Sequence, residues 1–196
     1  MLAAGLAACA GQTPTPSAPA THTAPTTPGG AGESAPPTAE VNPAGDIPDN
    51  QVFVPFVSPD HIFQVSVPEG WARTTDGAAV VFTDKFNSVR VEAAQRASAP
   101  DPTSARSAEI PAIAGAPGFA LQDITTVNRK AGPAVLIRYT ANSPVDPVTG
   151  KAVVDSVERY EFWRNGQEVI LTLAGPQGAD NVDPWRIVTD SFGWLG

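Results

Sequence analysis

Cysteine is almost absent from this chain. One thiol, Cys9, occurs in 196 residues, so no internal disulfide can form. Histidine is nearly as scarce, with only His22 and His61, and a zinc centre needs three or four His, Cys, Asp or Glu ligands. No Lys or Arg precedes Arg73. The net charge of −8 and pI near 4.6 leave no basic footprint for nucleic acid and no polybasic contact for a membrane surface. No apolar run approaches the roughly 20 residues of a membrane-spanning helix, and no G-x-S-x-G nucleophile elbow is present. No cofactor or metal is implied.

The lone cysteine stands where no core can bury it, directly after Leu6, Ala7 and Ala8. A redox thiol would want basic neighbours to lower its pKa, and there are none. The stretch Leu6–Cys9 resembles a bacterial lipobox. That resemblance implies that Cys9 takes up a diacylglyceryl group, becomes the mature N-terminus and holds the protein on the outer face of the cell membrane. A secretory signal has a basic start and an apolar stretch of about 7–15 residues. Only eight uncharged residues precede Cys9, so residues 1–8 are read as a signal-peptide remnant whose native start lies upstream of Met1. Residues 10–51 follow, of which 31 of 42 are Pro, Thr, Ala, Gly or Ser and none is aromatic. Such a segment cannot bury enough apolar surface to offset the entropy of ordering it. Residues 9–51 are therefore expected to be a lipid-anchored disordered tether, ~35–40 Å across as a coil, with His22 a solvated bystander.

The composition changes at residue 52. "FQVSV" alternates apolar and polar residues with the period of a half-buried strand. Runs of the same kind recur in "AAVVFT", "NSVRVEAA", "FALQDITTV", "AVLIRYTA", "AVVDSVERYEFW" and "EVILTLA". Asn165-Gly166 suits a type I′ hairpin turn, and "SPVDPVTGK" predicts a wider hairpin loop. Hairpins imply antiparallel pairing. Two segments interrupt the rhythm, each opening with Asp-Pro: Asp101-Pro102 and Asp183-Pro184. An Asp N-cap before Pro at the first helical position predicts a helix start. In the second, Trp185, Val188 and Phe192 form one apolar stripe, and Gly193 could close the helix in the left-handed conformation. The expected class is α+β: a single antiparallel sheet of about six or seven strands, made chiefly of consecutive neighbours and covered by two or more helices.

"FQVSVPEGW", "NGQEVILTLAG" and "PWRIVTDSFGWL" together resemble the PsbP-like fold, used also by the Ran-binding Mog proteins. Pro68, Gly70, Trp71, Trp185, Ser191 and Phe192 match by type and order. With the lipobox and the Pro/Thr tether, the chain is similar to actinobacterial cell-envelope lipoproteins of the LpqN and LpqT kind. The resemblance covers 52–196 plus the anchor, and it implies a monomeric binding domain without a catalytic motif.

The candidates for chemistry are few. His61 lies beside Asp60, but neighbouring residues on a strand point to opposite faces. Asp180 and Asp183 could offer oxygens to a hard cation, although helix capping accounts for Asp183. Glu158 and Glu161 lie three apart on a strand, hence on opposite faces, and cannot form the facing pair of a glycosidase. Of the four tryptophans, Trp71 and Trp185 read as core, and Trp163 beside the Asn-Gly turn reads as partly exposed. Residues 109–120, "EIPAIAGAPGFA", are almost wholly apolar, yet their prolines and glycines argue against regular structure. They either drape over the sheet as a cover or line a groove for an apolar guest, with Ile110, Ile113, Phe119 and Trp163 as its candidate walls. Three functions stay open: a non-catalytic binding or scaffolding module for an envelope protein, lipid or glycan; a carrier of an apolar lipid or glycolipid; and an undetected hydrolase.

Overall fold

A computed structural model describes residues 45–145 and 150–196. Cys9, His22 and the tether as far as residue 44 lie outside the described residues, as do four residues of the wide hairpin loop.

Among the described residues ten strands form two antiparallel sheets. The smaller joins β1 (Phe53–Val57), β2 (Phe63–Pro68) and β10 (Gly193–Trp194), with β2 in the middle. The larger contains β3 (Ala72–Asp76), β4 (Ala79–Asp84), β5 (Asn87–Gln95), β6 (Ala120–Arg129), β7 (Gly132–Asn142), β8 (Val154–Arg164) and β9 (Gln167–Pro176), in the order β3-β4-β5-β9-β8-β7-β6. The sequence predicts a single sheet of about six or seven strands; six of its seven runs fall in this one, β3 completes it, and a second, smaller sheet stands beside it. The run "FQVSV" stands in that smaller sheet because alternation identifies a half-buried strand without naming its partner. Within the large sheet consecutive strands pair, except that β5 passes over β6 to join β9, placing Val91 opposite Leu171. Asn165 and Gly166 both adopt positive φ (52° and 84°) between β8 and β9, as a type I′ turn requires.

The main core lies between the two sheets. Phe63, Val65 and Val67 of β2 belong to one buried cluster with Phe82, Val89, Val91, Leu136, Tyr160, Phe162, Leu171 and Leu173 of the large sheet. Phe162 stacks on Phe192 at 4.3 Å between ring centres, and each such side chain contributes about 1.5–3 kcal/mol by leaving water.

The closing helix, here α3 (Val182–Ser191), differs at both ends from its sequence reading. Its N-cap is Asn181, not Asp183. The Asn181 side chain turns inward, accepting from the Ile47 N–H (2.8 Å) and donating to Asn87 Oδ1 (2.9 Å) and the Gly45 carbonyl (3.1 Å). Asp183 sits in the first turn, where a negative charge complements the helix dipole. At the other end Phe192 is extended and Gly193 enters β10 opposite Gln64. Gly193 pairs with β2 instead of closing the helix as a left-handed glycine. The stripe itself is as expected for Val188 and Phe192, which are buried, whereas Trp185 is half-buried.

The packed domain starts before residue 52. Ile47 is buried, and the Gly45 carbonyl also accepts from Asn87 Nδ2 at 2.9 Å. Asp46 Oδ1 accepts from the Asp180 N–H. Residues 45–51 thus belong to the domain and not to the tether. Apolar side chains spaced too sparsely to make a period, here the single Ile47, leave no pattern to read. A protein beginning at Val52 should be less stable than one beginning at Gly45 by about 3–5 kcal/mol, from the lost isoleucine burial and the unpartnered Asn87 and Asn181 amides. Urea denaturation of the two checks this, and coincident midpoints would contradict it.

Candidate functional site

The second face of the large sheet carries the site, under a helical cover. Asp101 caps the first turn as its Asp-Pro sequence predicts: its carboxylate accepts from the Thr103 and Ser104 N–H groups, and the Ser104 hydroxyl accepts from the Asp101 N–H. Helix α1 (Pro102–Ser104) runs through a π-helical turn (Ala105–Glu109) into α2 (Ile110–Ile113). The expectation that 109–120 lacks regular structure is therefore corrected at its start. Pro111 stands directly after the π-helical turn, as the second residue of α2. Ile110, Ile113 and Phe119 pack against a second core cluster of Ala105, Val135, Ile137, Tyr139, Ala141 and Val157. The Phe119 ring lies 5.2 Å from that of Tyr139.

A cavity of about 370 Å³ opens beside this cover, lined by Ala99, Pro100, Thr126, Pro133, Ala134, Val135, Glu161 and Trp163. Of the four groove residues read from the sequence, Trp163 is in its wall, while Ile110, Ile113 and Phe119 are not. Trp163 faces this side because it stands opposite Glu168 of β9 and shares its strand face with Glu161. Its indole N–H donates to the Arg96 carbonyl at 2.9 Å, which fixes the ring as a flat apolar wall.

Glu161 joins the cavity to a buried ionic cluster. Arg96 Nη1 lies 2.6 Å from Glu168, 3.1 Å from Glu109 and 4.0 Å from Glu161 Oε2. Arg159 lies 3.1 Å from Glu109, 3.4 Å from Glu161 Oε1 and 3.7 Å from Glu92. Glu92 is shared with Arg90, itself paired to Asp76. Three guanidiniums thus face five carboxylates. Glu161 is wholly inaccessible, and its Oε2 has no hydrogen-bond partner. Burial, with repulsion from Glu109 added and only partly offset by Arg159, pushes its pKa up to about 7. Burial also raises Glu168 against the pull of Arg96, and raises Asp155 to about 6.

The opposite face of β8 has a cleft of about 440 Å³ near the start of α3, lined among others by Arg129, Arg138, Glu158, Tyr160, Trp185 and Arg186. Here the charges close on themselves. Tyr160 donates to Glu158 (2.6 Å) and accepts from Arg129 (2.7 Å). Arg138 pairs with Glu158 and Asp123, and both Arg129 and Arg186 with Asp190. Glu158 and Glu161 stand on opposite faces, as the strand period requires. His61 occupies an exposed bend at φ 56°. Among the described residues no group of three or more His, Cys, Asp or Glu is placed to hold a metal.

The sequence analysis missed Glu161, Arg96 and Arg159 as a unit. One signal was available: Val169-Ile170-Leu171 is an unbroken apolar run, the mark of a strand covered on both faces, and β8 is its neighbour.

A carboxyl with a higher pKa folded than unfolded binds its proton more tightly when folded, so it favours folding where it is protonated. Stability should therefore fall as pH rises from the ordinary carboxylate range to about 7, where Glu161 ionises, with Asp155 acting in the same direction up to about 6. Glu161→Gln removes the largest contribution. It should be more stable than wild type at pH 8, on the order of 2–3 kcal/mol, and nearly equal to it near pH 5. Denaturation across this range checks it; profiles that run parallel at every pH would contradict it.

No family model matches the chain, and no curated protein does. Several solved structures do. The cyanobacterial PsbP (CyanoP) of Synechocystis sp. PCC 6803 is 12% identical with a TM-score of 0.52, covering 78% of this chain and 99% of that one. LpqN of Mycobacterium tuberculosis, described as involved in cell envelope biogenesis, is 14% identical with a TM-score of 0.46, covering 76% and 93%. A Bacteroides thetaiotaomicron protein is 14% identical with a TM-score of 0.47 over 72% of this chain and 48% of that one, so the chain spans about half its length. The likeness to CyanoP shows that this chain has a PsbP-like α+β fold.

Proposed function

We propose that this protein is a non-catalytic binding module, lipid-anchored through Cys9 on the extracytoplasmic face of the cell membrane, whose domain shelters an apolar guest. The observation that carries the binding role is the cavity beside Trp163. Its walls of Ala99, Pro100, Pro133, Val135 and the fixed indole, with Thr126 at the exposed rim, form a small, mainly apolar site, the usual make-up of a ligand pocket. This favours the carrier form of the reading over pure scaffolding. The guest would sit next to the helical cover, against Ala99-Pro100, rather than beneath residues 110–119. The anchor rests on the sequence: a lipobox-like cysteine followed by a segment rich in Pro and Thr. No helix among the described residues is long and apolar enough to cross a membrane.

Two measurements test this. Native mass spectrometry of gently purified protein should show a reproducible co-purifying apolar molecule; a bare polypeptide mass from every preparation would contradict the carrier role. With an upstream signal supplied, labelled palmitate should enter the wild type in an acylation-competent bacterium and not Cys9→Ser, since stable attachment needs more than one acyl chain. An unlabelled wild type would remove the anchor.

A further inference from the structure

The cleft near the start of α3, of about 440 Å³, falls within the range of about 300–1,000 Å³ usual for small-ligand sites. Ser156 and Glu158 of β8 share one strand face, and Arg138 of β7 stands opposite Glu158; these three form its floor. The half-buried indole of Trp185 and the exposed Arg186 reach it from α3. We propose that this cleft binds a neutral glycan, with a hexopyranose ring stacked on Trp185 and its hydroxyls meeting Glu158 and Arg138. The assignment stands apart from the apolar cavity beside Trp163, which faces the other side of β8.

Three features favour that class of ligand. The first is the indole, whose flat apolar face suits the C–H face of a pyranose. Trp185 is set close to Gly175, where a Cβ would come within 3.5 Å of its six-membered ring, and Gly175 stands opposite Ser156 of the floor. The second is the pairing of a carboxylate with a guanidinium. A hydroxyl both donates and accepts, so two adjacent hydroxyls are matched by one acceptor group beside one donor group. Arg138 Nε donates to Glu158 Oε1 at 2.9 Å, its Nη1 to Asp123 at 3.4 Å, and the Tyr160 hydroxyl donates to Glu158 Oε2 at 2.6 Å. These bonds fix both groups yet leave lone pairs on the carboxylate and further N–H donors on the guanidinium. Both are reached from solvent, the Arg138 side chain being 41% and the Glu158 side chain 21% exposed. Tyr160 is itself buried and acts only by positioning Glu158; burial and that carboxylate push its pKa to about 12, so it stays a donor. The third is charge. The guanidiniums of Arg129, Arg138 and Arg186 meet Glu158, Asp123 and Asp190. A charged ligand would upset that balance, and a neutral polyol keeps it.

The test follows the Trp185 indole N–H resonance of the full chain, assigned with Trp185→Phe. Maltohexaose, laminarihexaose, mannohexaose and the anionic hexagalacturonate are added in turn, at low and at high salt. At least one neutral hexasaccharide should give saturable shifts with a midpoint that salt does not move, and hexagalacturonate should bind more weakly. Arg138→Met, which keeps the apolar stem, should weaken the neutral glycan at least tenfold, and Glu158→Gln, which keeps the shape but not the charge, about fivefold. Arg90→Met removes a guanidinium from the opposite face of the sheet, where Arg90, Thr172 and Arg159 stand in one row, and should change nothing. Equal or tighter binding of hexagalacturonate, screened by salt, would make the cleft an anion site and overturn the proposal. No shift with any of the four glycans, or an affinity that survives Arg138→Met, would overturn it as well, and none of these results bears on the apolar cavity.

Discussion

A carboxylate taken wholly out of water must meet a cation or take up a proton. Beneath the helical cover this condition is met unevenly. Glu109, in the π-helical turn, accepts from Arg96 and Arg159 together, so one side chain ties the cover to the sheet. Glu168 takes the shortest of the Arg96 contacts. Glu161 has what is left, one long contact and one unpartnered oxygen. Removing either arginine would strand several buried acids at once, which is the expensive way to break a buried pair.

The position of β8 explains why the cluster exists at all. The strand lies inside the large sheet, with the β2 layer and α3 on one side and the helical cover on the other. Its alternation therefore sorts residues between two interiors. Tyr160 and Phe162 fill the aromatic core, while Arg159, Glu161 and Trp163 face the cover. The two sides have been settled differently. In the cleft by α3, Arg129, Arg138 and Arg186 are balanced by Glu158, Asp123 and Asp190, with Tyr160 as a shared hydrogen-bond partner. Across the sheet the acids are in excess, and the excess borders a cavity.

Much of this fold was legible in the sequence, because half-buried strands announce themselves by alternation, and Asn165-Gly166 and Asp101-Pro102 have specific backbone demands. The PsbP-like motifs pointed to the same architecture. What escaped has physical causes. Strand alternation does not reveal that β5 pairs with β9, since that contact joins distant parts of the chain. Asp183-Pro184 looks like a cap, but Asn181 takes the position because its amide also bridges Gly45, Ile47 and Asn87. The site was half visible. Trp163 stood out as an indole near a turn, but Glu161 drew notice only as half of a possible carboxylate pair, and glutamate almost never lies fully buried without a partner. Only the unbroken run in β9 hinted that this face is covered.

The most direct test of the account is the titration of Glu161 itself, followed by the ¹³C shift of its side-chain carboxyl in labelled protein, with Glu161→Gln identifying the resonance. The account predicts a midpoint of about 7. A midpoint already in the ordinary range would show that Arg96 and Arg159 compensate Glu161 fully, and would contradict the claim that burial leaves this acid poorly paired.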